Sequence, residues 1–142
     1  MNGAAAKILV VDDEAIARAN LARVLAHDGH ETAQAGGGSI ALEMLQHGEY
    51  DLVLTDLIMP DMGGLELLER VRARFPGTEV IVVTGYPMVE TAVEAMRKGA
   101  YHYLAKPYQL DEARLLVARA LEKRRLYPVS YTHLRAHETR SN

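Results

Sequence analysis

Apolar positions along this chain fall into two alternating patterns. Four short runs, Lys7–Val11, Asp51–Thr55, Glu79–Val83 and Tyr101–Ala105, are apolar or β-branched for most of their length and stop at a polar residue. Runs of this length with such ends predict strands buried in a sheet. A fifth run, Glu31–Ala35, is polar at alternate positions, as an edge strand with one wetter face would be.

The segments between these runs follow the helical period. Val89, Ala92, Val93 and Met96 form an i, i+3, i+4, i+7 stripe closed by Gly99, which predicts a helix packing that stripe on the core. Leu21, Val24 and Leu25 before Gly29 predict a second helix, and Ile40, Leu42 and Leu45 before Gly48 a third. Leu67, Leu68, Val71 and Phe75 before Pro76-Gly77 predict a fourth. A fifth helix is expected from about Leu110 to Arg124, with Ala113, Val117 and Leu121 on its apolar side. Its acidic start at Asp111-Glu112 and basic end at Lys123-Arg124-Arg125 suit the helix dipole.

Five strands alternating with five helices predict an α/β domain, a parallel sheet covered on both faces by right-handed crossovers. Functional groups in such a sheet gather beyond the carboxyl ends of the strands. Asp12, Asp13, Asp56, Thr84 and Lys106 all follow strand ends, so topology alone predicts one polar constellation from residues scattered along the chain.

Composition narrows the chemistry. The chain has 142 residues, 49% of them hydrophobic, which suits one domain with an ordinary core. Without cysteine there can be no disulfide, thiolate metal site or cysteine nucleophile, and a reducing, cytoplasmic setting is expected. The first six residues, expected to be a disordered N-terminus, lack the pattern of a signal peptide, and no run is long enough to span a membrane. A net charge of −3 offers no electrostatic footprint for nucleic acid. Residues 127–142 lack apolar period and resemble translated sequencing-adaptor sequence, so they are read as a non-native or disordered tail. Without residues 128–142 the net charge becomes one unit more negative. His133 and His137 in that tail have the i, i+4 spacing of metal ligands on a helix but no third ligand beside them.

Three carboxylates brought to one rim repel one another unless a cation joins them. Oxygen donors with no sulfur or imidazole nearby favour a hard cation, and a small carboxylate set completed by water and a phosphoryl oxygen suits Mg2+. Lys106 can bring an ammonium to the same rim, and Thr84-Gly85 a hydroxyl followed by room for close backbone approach. Taken singly, Asp12-Asp13 reads as a capped turn, Lys106 as a surface lysine and Thr84 as a helix cap. Gly36-Gly-Gly38 lacks the Gly-Lys-Ser/Thr ending of a phosphate loop and reads as a flexible turn.

Five motifs occur in order: Val10-Val-Asp-Asp-Glu14, Asp56-Leu-Ile-Met-Pro-Asp-Met-Gly63, Val83-Thr-Gly85, Lys98-Gly-Ala-Tyr101 and Tyr103-Leu-Ala-Lys-Pro107. With them, residues 7–126 resemble the receiver domains of two-component response regulators. The resemblance implies a flavodoxin-like (βα)5 fold with strand order 2-1-3-4-5. It implies a signalling switch that catalyses only its own phosphorylation and dephosphorylation. Asp56 would take a phosphoryl group from a sensor histidine kinase or phosphotransfer protein, with Mg2+ held by Asp12, Asp13, Asp56 and the Ile58 carbonyl. Lys106 would pair with the phosphoryl oxygens, Thr84 would swing towards them, Tyr103 would turn inward with Thr84, and the Lys106-Pro107 bond would be cis.

The stretches Val83-Thr-Gly-Tyr and Glu90–Met96 are similar to receivers of sigma-factor-dependent, nitrogen-regulator-type activators, which suggests a chain cut after its receiver. Output would pass through the face of helix 4, strand 5 and helix 5, also a candidate homodimer surface, to a partner or missing effector domain. Met88, Glu94, Arg97, Tyr101, Tyr103 and Arg114 are expected there. Three other readings compete. An aspartate-nucleophile phosphatase lacks its Asp-x-Asp signature here, because Asp12 and Asp13 are adjacent. A flavin phosphate would meet three carboxylates, and a phosphorylation-independent docking module would have no use for the full polar set.

Overall fold

The computed structural model describes residues 5–126, and the tail with His133 and His137 lies outside them. Five strands and five helices alternate: β1 Lys7–Val11, α1 Ala15–His27, β2 Glu31–Ala35, α2 Gly38–His47, β3 Leu52–Asp56, α3 Gly64–Arg74, β4 Glu79–Thr84, α4 Val89–Arg97, β5 His102–Ala105 and α5 Leu110–Leu126. The strands form one parallel sheet in the order β2-β1-β3-β4-β5. This is the doubly wound parallel sheet that the alternation of patterns predicts, in the flavodoxin-like strand order that the resemblance implies.

Strand alternation divides the core in two. Ile8, Val10, Leu52, Leu54, Ile81 and Val83 face α1 and α5, where they meet Leu21, Leu25, Ala113, Val117 and Leu121. Leu9, Val11, Val53, Val80 and Val82 face the other way, onto Leu42, Leu45, Leu67, Leu68 and Val71 of α2 and α3 and Ala95 of α4. Because β1, β3 and β4 are covered on both faces, their sequences run apolar without a break. Packing begins at Ala6, ahead of the expected domain start. Its N–H donates to His30 Nδ1 over 3.3 Å and its carbonyl accepts from Glu31 N–H over 2.9 Å.

Two helices depart from expectation. On α4 the stripe of Val89, Val93 and Met96 is exposed, and Ala95 alone of the helix is buried. In α2 the packed residues are Ala41, Leu42 and Leu45, while Ile40 is exposed. Hydrophobic period locates a face but not what covers it, and a helix beside the edge strand β5 has less sheet to lie on. Among the described residues, no helix is long and apolar enough to cross a membrane.

Candidate functional site at the carboxyl rim of the sheet

The register β1 beside β3, β3 beside β4 and β4 beside β5 brings four strand ends to one edge. Asp12 leaves the end of β1, its N–H still bonded to the Ala35 carbonyl of β2 (3.1 Å). Its side chain is buried, and one carboxylate oxygen accepts the Glu14 N–H over 2.9 Å, which fixes the turn into α1. The turn half of the bland reading holds, but not the cap: the N-cap of α1 is Glu14, which makes no side-chain cap bond, and Asp12 is buried. Asp13 is exposed beside it. Asp56 closes β3 itself, one residue later than the expected strand end. Its Oδ1 accepts the Leu57 N–H over 2.7 Å.

Carboxylate oxygens of Asp12, Asp13 and Asp56 lie within 4.8 Å of one another. Lys106 reaches across from the end of β5 and donates to Asp12 Oδ2 at 3.1 Å and to Asp56 Oδ2 at 3.3 Å. Burial raises the Asp56 carboxyl above the ordinary carboxylate range; the Lys106 charge opposes this and the Asp12 charge adds to it. Burial works to lower Lys106, but its hydrogen bond to Asp12 and the charges of Asp12 and Asp56 outweigh it and hold the ammonium above its usual value. One ammonium among three carboxylates leaves the cluster with uncompensated negative charge. That imbalance, with oxygen as the only donor atom, fits a hard dication such as Mg2+.

Thr84 is fully buried at the end of β4, and its hydroxyl accepts the Tyr86 N–H over 2.9 Å. Its carbonyl accepts the Lys106 N–H over 2.7 Å, tying β4 to the strand end that carries the lysine. The Lys106-Pro107 peptide bond is cis. Ile58 is exposed in the loop after Asp56 and lines an open cleft with Asp13, Glu14, Asp56, Gly85, Tyr86 and Lys106. Tyr103 stands apart from that cleft: half-buried on β5, it bonds through its phenol to the Thr91 hydroxyl of α4 at 2.6 Å.

Several participants were missed in the sequence. Arg18 donates to the Asp12 carbonyl (2.8 Å) and to Gln34 Oε1 (3.0 Å), bracing the β1 end against β2. Asp61 accepts the Met62 N–H (2.7 Å) and the Ser39 N–H (3.1 Å), joining the loop after Asp56 to the first turn of α2. Gly37, which caps α2, and Gly38, its first residue, sit where the chain comes close to the loop after Asp56. A Cβ on Gly37 would sit 2.7 Å from Asp61 Oδ1, and one on Gly38 would sit 2.6 Å from the Met62 carbonyl. Only the run of glycines signals this in the sequence. Arg114, expected on the face of α4, β5 and α5, donates from α5 to Asp28 at the end of α1 over 2.8 Å. Its guanidinium is thus turned towards α1, with which α5 shares its side of the sheet.

Comparison with known proteins agrees with this geometry. The family model described as "Response regulator receiver domain" matches residues 8–118. The chain is 45% identical to regulatory protein AtoC of Escherichia coli (strain K12) over 116 residues, 82% of this chain and 25% of that protein. It spans about a quarter of the length of the curated relatives it matches. Among solved structures it is similar to a receiver domain protein (CheY-like) from Methanospirillum hungatei JF-1, with a TM-score of 0.85 and 29% identity, covering 88% of this chain and 100% of that one. It is also similar to the beryllofluoride-activated NtrC4 receiver domain dimer, with a TM-score of 0.79 and 31% identity, covering 83% and 98%. Residues 8–118, with the five-stranded sheet and the acidic rim they build, thus belong to the response regulator receiver domain family.

Proposed function

We propose that this domain is a phosphorylation switch in which Asp56 accepts a phosphoryl group from the phosphohistidine of a sensor kinase or phosphotransfer protein. The observation that carries the reading is the convergence of Asp12, Asp13, Asp56 and Lys106 on one rim, with an ammonium already seated between two of the carboxylates. An Asp56 carboxylate oxygen attacks phosphorus, and the phosphorus–nitrogen bond breaks. Its electron pair returns to the imidazole, which takes up a proton, and Asp56 becomes an acyl phosphate. Asp56 enters ionised and needs no general base, so the domain contributes position and charge.

Asp12, Asp13, Asp56 and the Ile58 carbonyl are the groups that would hold Mg2+, whose charge would neutralise the phosphoryl oxygens. Lys106, freed from Asp56, pairs with a phosphoryl oxygen, and the Thr84 hydroxyl leaves Tyr86 N–H to donate to another. A phosphoryl group adds roughly −1.5 to −2 charges. Its contacts with Lys106 and Thr84 supply the differential binding that a two-state element requires. The change passes to α4 and β5, with Tyr103 turning inward, and from there to an effector domain or a second copy of the receiver. The relation to the NtrC4 receiver dimer supports the second route. The absence of cysteine from the chain suits a cytoplasmic setting.

Intact-mass spectrometry after incubation with magnesium and a small acyl phosphate tests the proposal. The wild type is expected to gain one phosphoryl group and Asp56→Asn none. A gain on both would place the acceptor elsewhere, and no gain on either would favour a docking module that works without phosphate.

A further inference from the structure

A hydrogen-bonded chain runs from the α4 cap to the ring of Tyr103. Met88 is the N-cap of α4, and its carbonyl accepts both the Ala92 N–H of the first turn (2.9 Å) and the Thr91 hydroxyl (3.0 Å). A threonine hydroxyl has one proton. With that proton directed at Met88, the 2.6 Å contact between Thr91 Oγ1 and the Tyr103 hydroxyl has one consistent polarity, Tyr103 donating to Thr91. Three residues before Met88 the same loop begins at Gly85, and the Tyr86 N–H there is held by Thr84 Oγ1. The residue expected to move towards the phosphoryl group thus holds one end of the Tyr86–Met88 segment. The acceptor for Tyr103 hangs from the other end.

We infer that Thr91 is a positioning residue of the switch, a latch that keeps the Tyr103 phenol on α4 until Thr84 releases the β4–α4 loop. The inference rests on the reading of Asp56 as phosphoryl acceptor and of Thr84 and Tyr103 as the moving pair, and adds the group that sets their resting balance. In the unmodified domain the ring bonded to Thr91 is half-buried against the core, whereas a ring turned further inward leaves Thr91 Oγ1 without its donor. Departure of Tyr86 N–H from Thr84 lets Met88 shift, which draws Thr91 from the phenol. A partner that fixes the first turn of α4 would bias the same balance from outside.

Thr91→Val keeps the shape of the side chain and removes the hydroxyl, and Thr91→Ser keeps the hydroxyl. In the full chain labelled with fluorotyrosine, with the Tyr103 resonance assigned by Tyr103→Phe, Thr91→Val is expected to raise the inward population in the unmodified protein about fivefold. That is the effect of losing one neutral hydrogen bond. Thr91→Ser is expected to restore it. Phosphorylation by the acyl phosphate should quicken in Thr91→Val but change no further when Thr91→Val is added to Tyr103→Phe. Unchanged Tyr103 populations in Thr91→Val, or an equal gain in the Tyr103→Phe background, would overturn the latch. Failure of wild type to gain phosphate would instead strike the proposed function, because the resting ring populations are read without phosphate.

Discussion

Asp56 and Lys106 illustrate how one position can serve chemistry at some cost to stability. Three carboxylates share a rim with one ammonium, and burial lifts the Asp56 carboxyl above its usual range. A cation binding only the folded cluster stabilises it by mass action, about 1.4 kcal/mol at tenfold over Kd. Magnesium at that level is therefore expected to raise the Tm of the wild type by several degrees. Asp13→Asn should abolish most of this rise, which calorimetry with and without chelator would show. An equal rise in both proteins would place the cation elsewhere. Lys106→Met withdraws the ammonium that touches both Asp12 and Asp56, so phosphorylation is expected to slow at least about tenfold, the worth of a charge-assisted hydrogen bond. Stopped-flow tyrosine fluorescence or timed mass spectra would measure it.

At the level of elements, sequence period and structure part company on α4. Its stripe of Val89, Val93 and Met96 lies in solvent, and Ala95 is its one buried residue. Val93→Glu is therefore expected to shift stability by no more than about 0.5 kcal/mol, as an ordinary surface change does. Ala95→Leu forces methyl groups into a filled site and should lose about 1–3 kcal/mol. Urea unfolding of the two variants separates them, and equal losses would mean that the stripe is packed after all. Strand identity, strand ends and helix breaks were legible, because apolar runs and turn residues are local signals. The rim was legible too, since parallel topology sends every strand end to one side. The direction α4 faces, the pairing of Arg114 with Asp28 and the seat of Asp61 on α2 were not. Each joins residues far apart in the chain through geometry that no local pattern encodes. The α1–α5 tie also has a pH signature. The Arg114 hydrogen bond holds the Asp28 carboxyl below its ordinary value of 3.8. A depressed carboxyl gives stability that is present above 3.8 and lost as pH falls through its folded value. The denaturation midpoint of Arg114→Ala should thus sit slightly below wild type at neutral pH, with the gap holding down to about 3.8 and closing as pH falls further.

For the whole molecule, the sheet separates a reactive pole from a structural one. Five residue steps of extended chain separate Asp51 from Asp56 and Glu79 from Thr84, which sets the amino ends of β3 and β4 roughly 16 Å from the rim. At that amino end Asp51 pairs with Arg124 at 3.0 Å, and the buried Glu79 lies 3.4 Å from Lys123 and 3.8 Å from Arg72. Charge added at Asp56 is screened over about 8 Å at physiological salt, so it acts on this pole weakly through space. A route through the packed core is also poor, since Val53, Val80, Ile81 and Val82 are fully buried and a close-packed interior repacks in steps instead of bending. The β4–α4 loop offers an easier path: Gly85, Tyr86, Pro87 and Met88 are exposed, and the Thr84 hydroxyl bond at Tyr86 N–H is the hold that phosphorylation would remove. Amide shifts on phosphorylation are therefore expected to be large from Thr84 to Met96 and around Tyr103. They should be small at Asp51, Glu79 and Arg124 and around Asp28. Backbone NMR of the chain with and without the acyl phosphate measures both groups in one experiment. Uniform shifts would mean that the sheet moves as a body, and shifts confined to the rim would mean that the signal does not leave through α4.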